Sequence, residues 1–335
     1  MALLEPKSKV LMIGALEHVG KYLTIASVML GHFTLVLLPN IRNGDPAQNQ
    51  IIEYFENIGV AFIKGDIDNH SRLVQAIRAV DVVISAAGGN RFSIEGQKTT
   101  VSTNKKLKLV GTTLHRAPSL NSNKWQSWVK LAEVYPVGVI DVDRTHVLPE
   151  AERKLEEYRQ MRRLKDQSGV PYNHVVGGFF AGEILGRFNS QQSQLSLPLK
   201  IPLFGNGNSK VVFSVEMDVG RYTILGADDP RTLFKTLYIR PPENVISLNE
   251  LVSLWESKIN RFWERIYIPS EAFMKLYNEA QPKEKIVLAL MHSAFIRGDQ
   301  TNYDIDPSFG VEASQLYPHV KYTTMNEYLN RFLPE

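Results

Sequence analysis

The sequence predicts a doubly wound α/β fold with a parallel sheet, on three observations. Four apolar runs of strand length alternate with helical segments between Lys9 and Ala86. Those runs are close to continuously apolar, the pattern of strands buried on both faces. The first run breaks at Gly14 into a glycine-punctuated turn ending at Gly20, where the chain restarts as a helix, the shape of a phosphate-binding turn. Right-handed crossovers then put helices on both faces of the sheet.

The elements follow in order. After the opening strand, Lys21 to Leu30 reads as a helix with Gly31 as its C-cap, and Phe33 to Leu38 as a buried strand ended by Pro39. Asp45-Pro46 starts a helix whose stripe is Ile51, Ile52, Tyr54, Phe55 and Ile58, stopped by Gly59. Strand Val60 to Ile63, the turn Lys64-Gly65-Asp66, a helix from about His70 to Ala79 and strand Asp81 to Ala86 complete this run. From Gly88 to Trp128 the pattern loosens into a long polar connection with one helical candidate, Asn104 to His115, so residues 88–128 are expected to be an inserted loop or lid. Trp128 to Tyr135 is a fifth strand, Pro149 to Gln167 a charged helix, and Pro171 to Val176 a sixth strand. Beyond them a strand pair is expected across Phe204 to Val219, with helices near Asp218 to Leu225, Ser247 to Lys258, Ser270 to Glu279 and Glu284 to Arg297. The domain reading is a nucleotide-binding-type unit at 1–178 and a smaller α/β substrate unit at 179–335 over the carboxyl ends of the strands, where open sheets bind ligands, with some chain crossing between the two.

Composition narrows the function. The 335 residues are 44% hydrophobic with a formal charge of only +3, which gives no footing for a nucleic-acid or membrane surface and favours a small-molecule partner. The absence of Cys excludes disulfides and thiol catalysis, and no cluster has metal-ligand spacing. No apolar run approaches the roughly 20 residues of a spanning helix, so the expected location is the cytoplasm.

Asp228 to Leu233, Tyr238-Ile239-Arg240-Pro241-Pro242, Leu248 to Leu251 and above all His292 to Leu329 resemble the plant reductase family of isoflavone, pinoresinol-lariciresinol and phenylcoumaran benzylic ether reductases and eugenol synthase. The resemblance implies an NmrA-like, atypical short-chain-dehydrogenase fold with a Rossmann-like NADPH half, a half for aromatic and often phenolic metabolites, and a possible homodimer.

Carried over by position, five segments depart from the family pattern. The turn keeps Gly14 and Gly20 but has Glu17 at the middle glycine, where the backbone approaches a diphosphate. Pro39 stands where the family has an arginine for the 2′-phosphate, with Arg42 nearby. Downstream of Asp141-Val142-Asp143-Arg144 and His146, Tyr158 falls at the position of the catalytic lysine; Arg162 lies one turn along and could lower its pKa. Val176-Gly177-Gly178 replaces a polar segment before Phe179 and Phe180, opening volume for a bulkier ring, and Val134 to Val139, including Tyr135, replaces a cofactor-side loop. His292 matches the family histidine of the substrate pocket.

These departures give the sequence-based expectation: a vestigial cofactor site (Gly14, Glu17, Gly20, Pro39, Arg42) that binds no NADPH, with Tyr158 and His292 moving a proton in a pocket walled by Tyr135, Gly177, Gly178, Phe179 and Phe180. The activity would be that of a cyclase, isomerase or dehydratase. An NADPH-dependent reductase of a phenolic substrate and a non-catalytic ligand-binding protein are the alternatives. Core packing accounts for Phe179 and Phe180 equally well, and a packed surface tyrosine for Tyr158.

Overall fold

The computed structural model describes residues 7–39, 46–86, 130–134, 171–182 and 200–333, with scattered positions between 148 and 169. Arg42, Tyr135, Tyr158, Asp141, Asp143, Arg144, His146 and the insertion at 88–128 lie outside the described residues.

The four apolar runs form β1 (Val10–Ile13), β2 (Thr34–Leu38), β3 (Ala61–Lys64) and β4 (Val82–Ser85), separated by α1 (His18–Met29), α2 (Pro46–Asn57) and α3 (His70–Arg78). Asn69 caps α3, its side chain accepting from Arg72 N–H, and Gly31 and Gly59 take positive φ after their helices. The fifth and sixth runs are β5 (Lys130–Val134) and β6 (Tyr172–Val176), and the described positions of the charged segment up to 167 are helical. The C-terminal half adds β7 (Phe179–Phe180), β8 (Lys200–Phe204), β9 (Lys210–Ser214), β10 (Lys235–Tyr238), β11 (Val245–Ser247), β12 (Glu264–Ile268) and β13 (Gly310–Glu312).

Among the described residues, eight strands make the central sheet in the order β13-β10-β6-β5-β4-β1-β2-β3, every neighbouring pair parallel. The order reverses at β1, which pairs β2 on one edge and β4 on the other. Ligands in open α/β sheets bind outside the carboxyl ends at this switch point. Alternation along β1 shows both faces in use: Val10 and Met12 enter the core under α1, while Leu11 and Ile13 join Leu73 and Ile77 of α3. A third core gathers Phe179, Phe213, Trp255, Phe295 and Met325.

The sequence reading stopped the central sheet at β6. In the structure β10 and β13 come from the C-terminal half and continue it, β10 on β6 and β13 on β10. Both are four residues or fewer, too short to stand out as apolar periods. The strands expected to pair around the Gly205–Gly207 turn also part company: β8 pairs β12, whereas β9 pairs β7 and β11. The single helix expected from Glu284 to Arg297 is two elements, an α-helix at Pro282–Met291 and a π-helical turn at His292–Arg297 closed by Gly298 at φ 72.

Gly178 joins the halves. A Cβ built there would lie 1.9 Å from the Val212 carbonyl oxygen of β9, and its N–H donates to Ser214 Oγ at 3.3 Å. The volume expected to open at Gly178 is therefore filled by backbone. Gly178→Ala should cost roughly 1–3 kcal/mol, the usual range for overpacking, seen as a lowered denaturation midpoint in urea.

Candidate functional site

The turn after β1 is built by its two outer glycines. Gly14 has φ 79, a conformation side chains rarely adopt, and the Glu17 N–H donates to the Gly14 carbonyl at 3.0 Å. A Cβ on Gly20 would stand 1.9 Å from the same carbonyl oxygen, so only glycine lets α1 start this close to β1. Glu17 sits between them as the N-cap, with φ −73 and ψ 165. That is ordinary extended backbone, so the turn needs no glycine there to fold. The first helical bond runs from Lys21 N–H to the Glu17 carbonyl at 3.2 Å, and the Glu17 side chain makes no capping hydrogen bond. The first-turn N–H groups, with the positive end of the helix dipole, are thus left uncapped by Glu17 and suit an anion.

Beside the turn, at the carboxyl ends of β1 to β3, lies a cleft with ≈ 390 Å³ of atom-free space. Gly14, Leu16, Leu37, Pro39 and Asp66 line it. Pro39 stands where a 2′-phosphate cation was sought and brings only its ring. Asp66 was read as part of a turn; the structure adds it to this wall, with one carboxylate oxygen accepting from Ile67 N–H at 2.7 Å. Its signal was available, since a parallel strand next to β2 delivers its following turn to the same edge.

A second cleft, with ≈ 350 Å³ of atom-free space, opens at the carboxyl ends of β6 and β10, between Val176, Gly177, Gly178, Tyr238, Arg240 and Asp299. The Arg240 guanidinium donates to the carbonyls of Tyr303 (3.0 Å) and Thr301 (3.2 Å). Asp299 is buried and accepts from Ser293 Oγ at 2.6 Å, with Arg297 Nε at 3.6 Å. Sequence reading singled out neither as a site residue, because the two segments that carry them, Tyr238 to Pro242 and His292 to Leu329, matched the family as ancestry rather than as a site.

Of the expected pocket walls, Gly177 and Gly178 face this cleft, whereas Phe179 and Phe180 go into cores: Phe179 stacks on Phe295 at 4.8 Å, and Phe180 belongs to the core under α1. Arg162 donates to Thr236 Oγ1 of β10 at 2.9 Å. His292 opens the π-helical turn, half-buried, with its ring 5.7 Å from Phe273. Such turns recur at functional positions because they re-aim a side chain. Burial holds the His292 pKa below its ordinary 6.5, Arg297 adds to this, and Asp299 opposes it.

His18, the first residue of α1, ties the turn to the C-terminal half: its Nε2 lies 3.3 Å from Oε1 of the buried Glu216, which also accepts from Gly182 N–H at 3.0 Å. Among the described residues no helix is long and apolar enough to cross a membrane, and no group of three or more acidic, His or Cys side chains could hold a metal.

The parallel sheet, the switch point at β1 and the glycine turn opening onto a helix N-terminus define a Rossmann-type dinucleotide-binding architecture. The chain belongs to the NmrA-like family, whose model matches residues 6–113 and 138–329. Phenylcoumaran benzylic ether reductase Pyrc5 of Pyrus communis is 42% identical over 98% of this chain and 99% of its own length. The crystal structure of isoflavone reductase aligns with a TM-score of 0.83 at 33% identity over 98% of this chain and 100% of that one. AtPrR2, solved with NADP+ and (+)pinoresinol, aligns at 0.82 and 28% identity, over 98% and 100%.

The expectation that no dinucleotide binds is corrected by this last relative, which carries NADP+ on the same fold. The physical reason lies in the turn. Glu17 was taken to evict the diphosphate, yet its backbone is unstrained, the outer glycines keep the close approach, and its side chain does not cap the helix.

The His292 shift carries a pH consequence. Because its folded pKa is lowered, the unfolded chain takes up the proton first as pH falls below 6.5, so the histidine removes stability on the acid side and contributes none above it. His292→Gln should flatten the acid-side fall in melting temperature while leaving the value at pH 8 nearly unchanged, as thermal melts of both proteins across pH 5–8 would record.

Proposed function

We propose that this chain is an NADPH-dependent reductase of a small phenylpropanoid-type aromatic substrate. The observation that carries the reading is the turn at Gly14 to Gly20. Its helix N-terminus is uncapped by a side chain and set at the switch point of a sheet, in a fold whose relative AtPrR2 was solved with NADP+. The residues present fit a dinucleotide. First-turn N–H groups of α1 would hold the diphosphate, and the cleft of Leu16, Leu37, Pro39 and Asp66 would take the adenosine end. Once bound, the cofactor supplies a hydride.

The protein's share is to place the aromatic ring and manage the proton. Gly177 contributes open wall at the carboxyl end of β6. His292, its pKa held below 6.5, is neutral at pH 7 and accepts a hydrogen bond or a proton from a phenol. In reductive opening of a benzylic ether, the C–O bond breaks, hydride goes to the benzylic carbon and a proton to the departing phenolic oxygen. Tyr158 is the proposed donor of that proton.

Two linked measurements test this. NADPH at a hundred times its dissociation constant should add about 2.7 kcal/mol of stability, a clear rise in melting temperature. With a phenylcoumaran benzylic ether or pinoresinol added, NADPH absorbance should fall, and Tyr158→Phe should slow that loss at least tenfold with NADPH binding unchanged. Binding without turnover of any phenolic would leave a ligand-binding role in its place.

A further inference from the structure

His292 stands on a turn that its own sequence does not call for. Residues 284–297 have a helical period, yet the α-helix stops at Met291 and the next turn, His292–Arg297, is π-helical. The hydrogen bonds of a π turn span one residue more than those of an α-helix, so the side chains at such a turn are aimed differently from the helix before it.

The contacts of Ser293 record the wide register. Its carbonyl accepts from the Gly298 N–H and, at 3.1 Å, from the Asp299 N–H, whereas in an α-helix it would take the N–H of Arg297. Its hydroxyl donates to the Asp299 carboxylate at 2.6 Å. Asp299 therefore grips Ser293 twice, once through its backbone and once through its side chain. Both residues are buried, where a hydrogen bond to a charged acceptor is stronger than a neutral one. The carboxylate is itself held: its other oxygen accepts from Asn302 Nδ2 at 3.3 Å, and Arg297 Nε lies 3.6 Å from the oxygen that takes Ser293. Ser293 follows His292 directly in the chain, so a grip on residue 293 acts on the backbone that sets the His292 ring 5.7 Å from Phe273. Asp299 also lines the cleft at Gly177, so one carboxylate joins the turn to the wall of that cleft.

We propose that Asp299 is a positioning residue acting through Ser293: it keeps the turn in its π-helical register and thereby aims His292 at the aromatic substrate. The inference rests on the reading of His292 as the group that meets the phenol.

The test compares full-length wild type, H292Q, S293A, D299A and the double variant of H292Q with S293A, with melting temperatures to show which of them fold. In NMR spectra of histidine-labelled protein the His292 ring signal, identified by its loss in H292Q, should shift in S293A and in D299A. With NADPH and a phenylcoumaran benzylic ether, S293A should lower kcat roughly tenfold, within the range that a misplaced group costs. In the H292Q background the same substitution should cost nothing further, because both changes remove one effect. If D299A does not fold, S293A carries the test. An unmoved His292 signal or an unchanged kcat in S293A overturns the inference and leaves the reductase reading in place. An equal loss of kcat with and without His292 also overturns it, since the turn would then be structural only. A signal that moves while H292Q turns over as fast as wild type overturns the role of His292, and this inference with it. No NADPH-linked turnover by wild type overturns the reductase reading and the inference together.

Discussion

The contact between Gly20 and the Gly14 carbonyl is the constraint on which the nucleotide-binding half depends. Any side chain at residue 20 would meet that oxygen at 1.9 Å, so the start of α1 and the end of β1 are locked at backbone distance. That distance fixes the direction of the helix dipole at the switch point of the sheet. It also explains why Glu17 can stand where it does: the turn is held from both sides, and its middle residue is free of backbone strain.

A second close approach of the same kind holds the two halves of the chain together. Gly178 meets the Val212 carbonyl of β9, and Gly182 gives its N–H to the buried Glu216, whose carboxylate faces His18 of α1. The chain that leaves β6 is thereby tied to the first turn of the first helix. The continuation of the central sheet by β10 and β13 works in the same direction, so the cleft at Gly177 and Arg240 is walled by the end of β6 together with residues of the C-terminal half.

The first four strands and three helices were legible because each rests on a local rule: a continuous apolar run, a capping residue, a glycine stop. The π-helical turn at His292 was not, since its sequence is helical in period, and the contacts of its rings, Phe295 with Phe179 and Phe204 and His292 with Phe273, are tertiary. Phe179 and Phe180 read as pocket walls because aromatic type does not say which face of a short strand meets a cavity. For Glu17 the chemistry of the residue was legible and its consequence was overdrawn. A missing glycine was equated with a missing ligand, whereas the backbone conformation calls for glycine only where φ is positive, and residue 17 has φ −73. Asp66 illustrates the opposite error, a turn residue whose neighbours in the sheet, not in the sequence, give it a site.

The central claim is that this turn delivers a nicotinamide cofactor to an aromatic substrate, and isotope transfer tests it most directly. The protein would be incubated with a phenylcoumaran benzylic ether and NADPH carrying deuterium on the transferred nicotinamide position, and the product weighed by mass spectrometry. The account predicts a reduced product containing one deuterium. An isomerised or dehydrated product with no label, formed while the labelled NADPH stays intact, would contradict it.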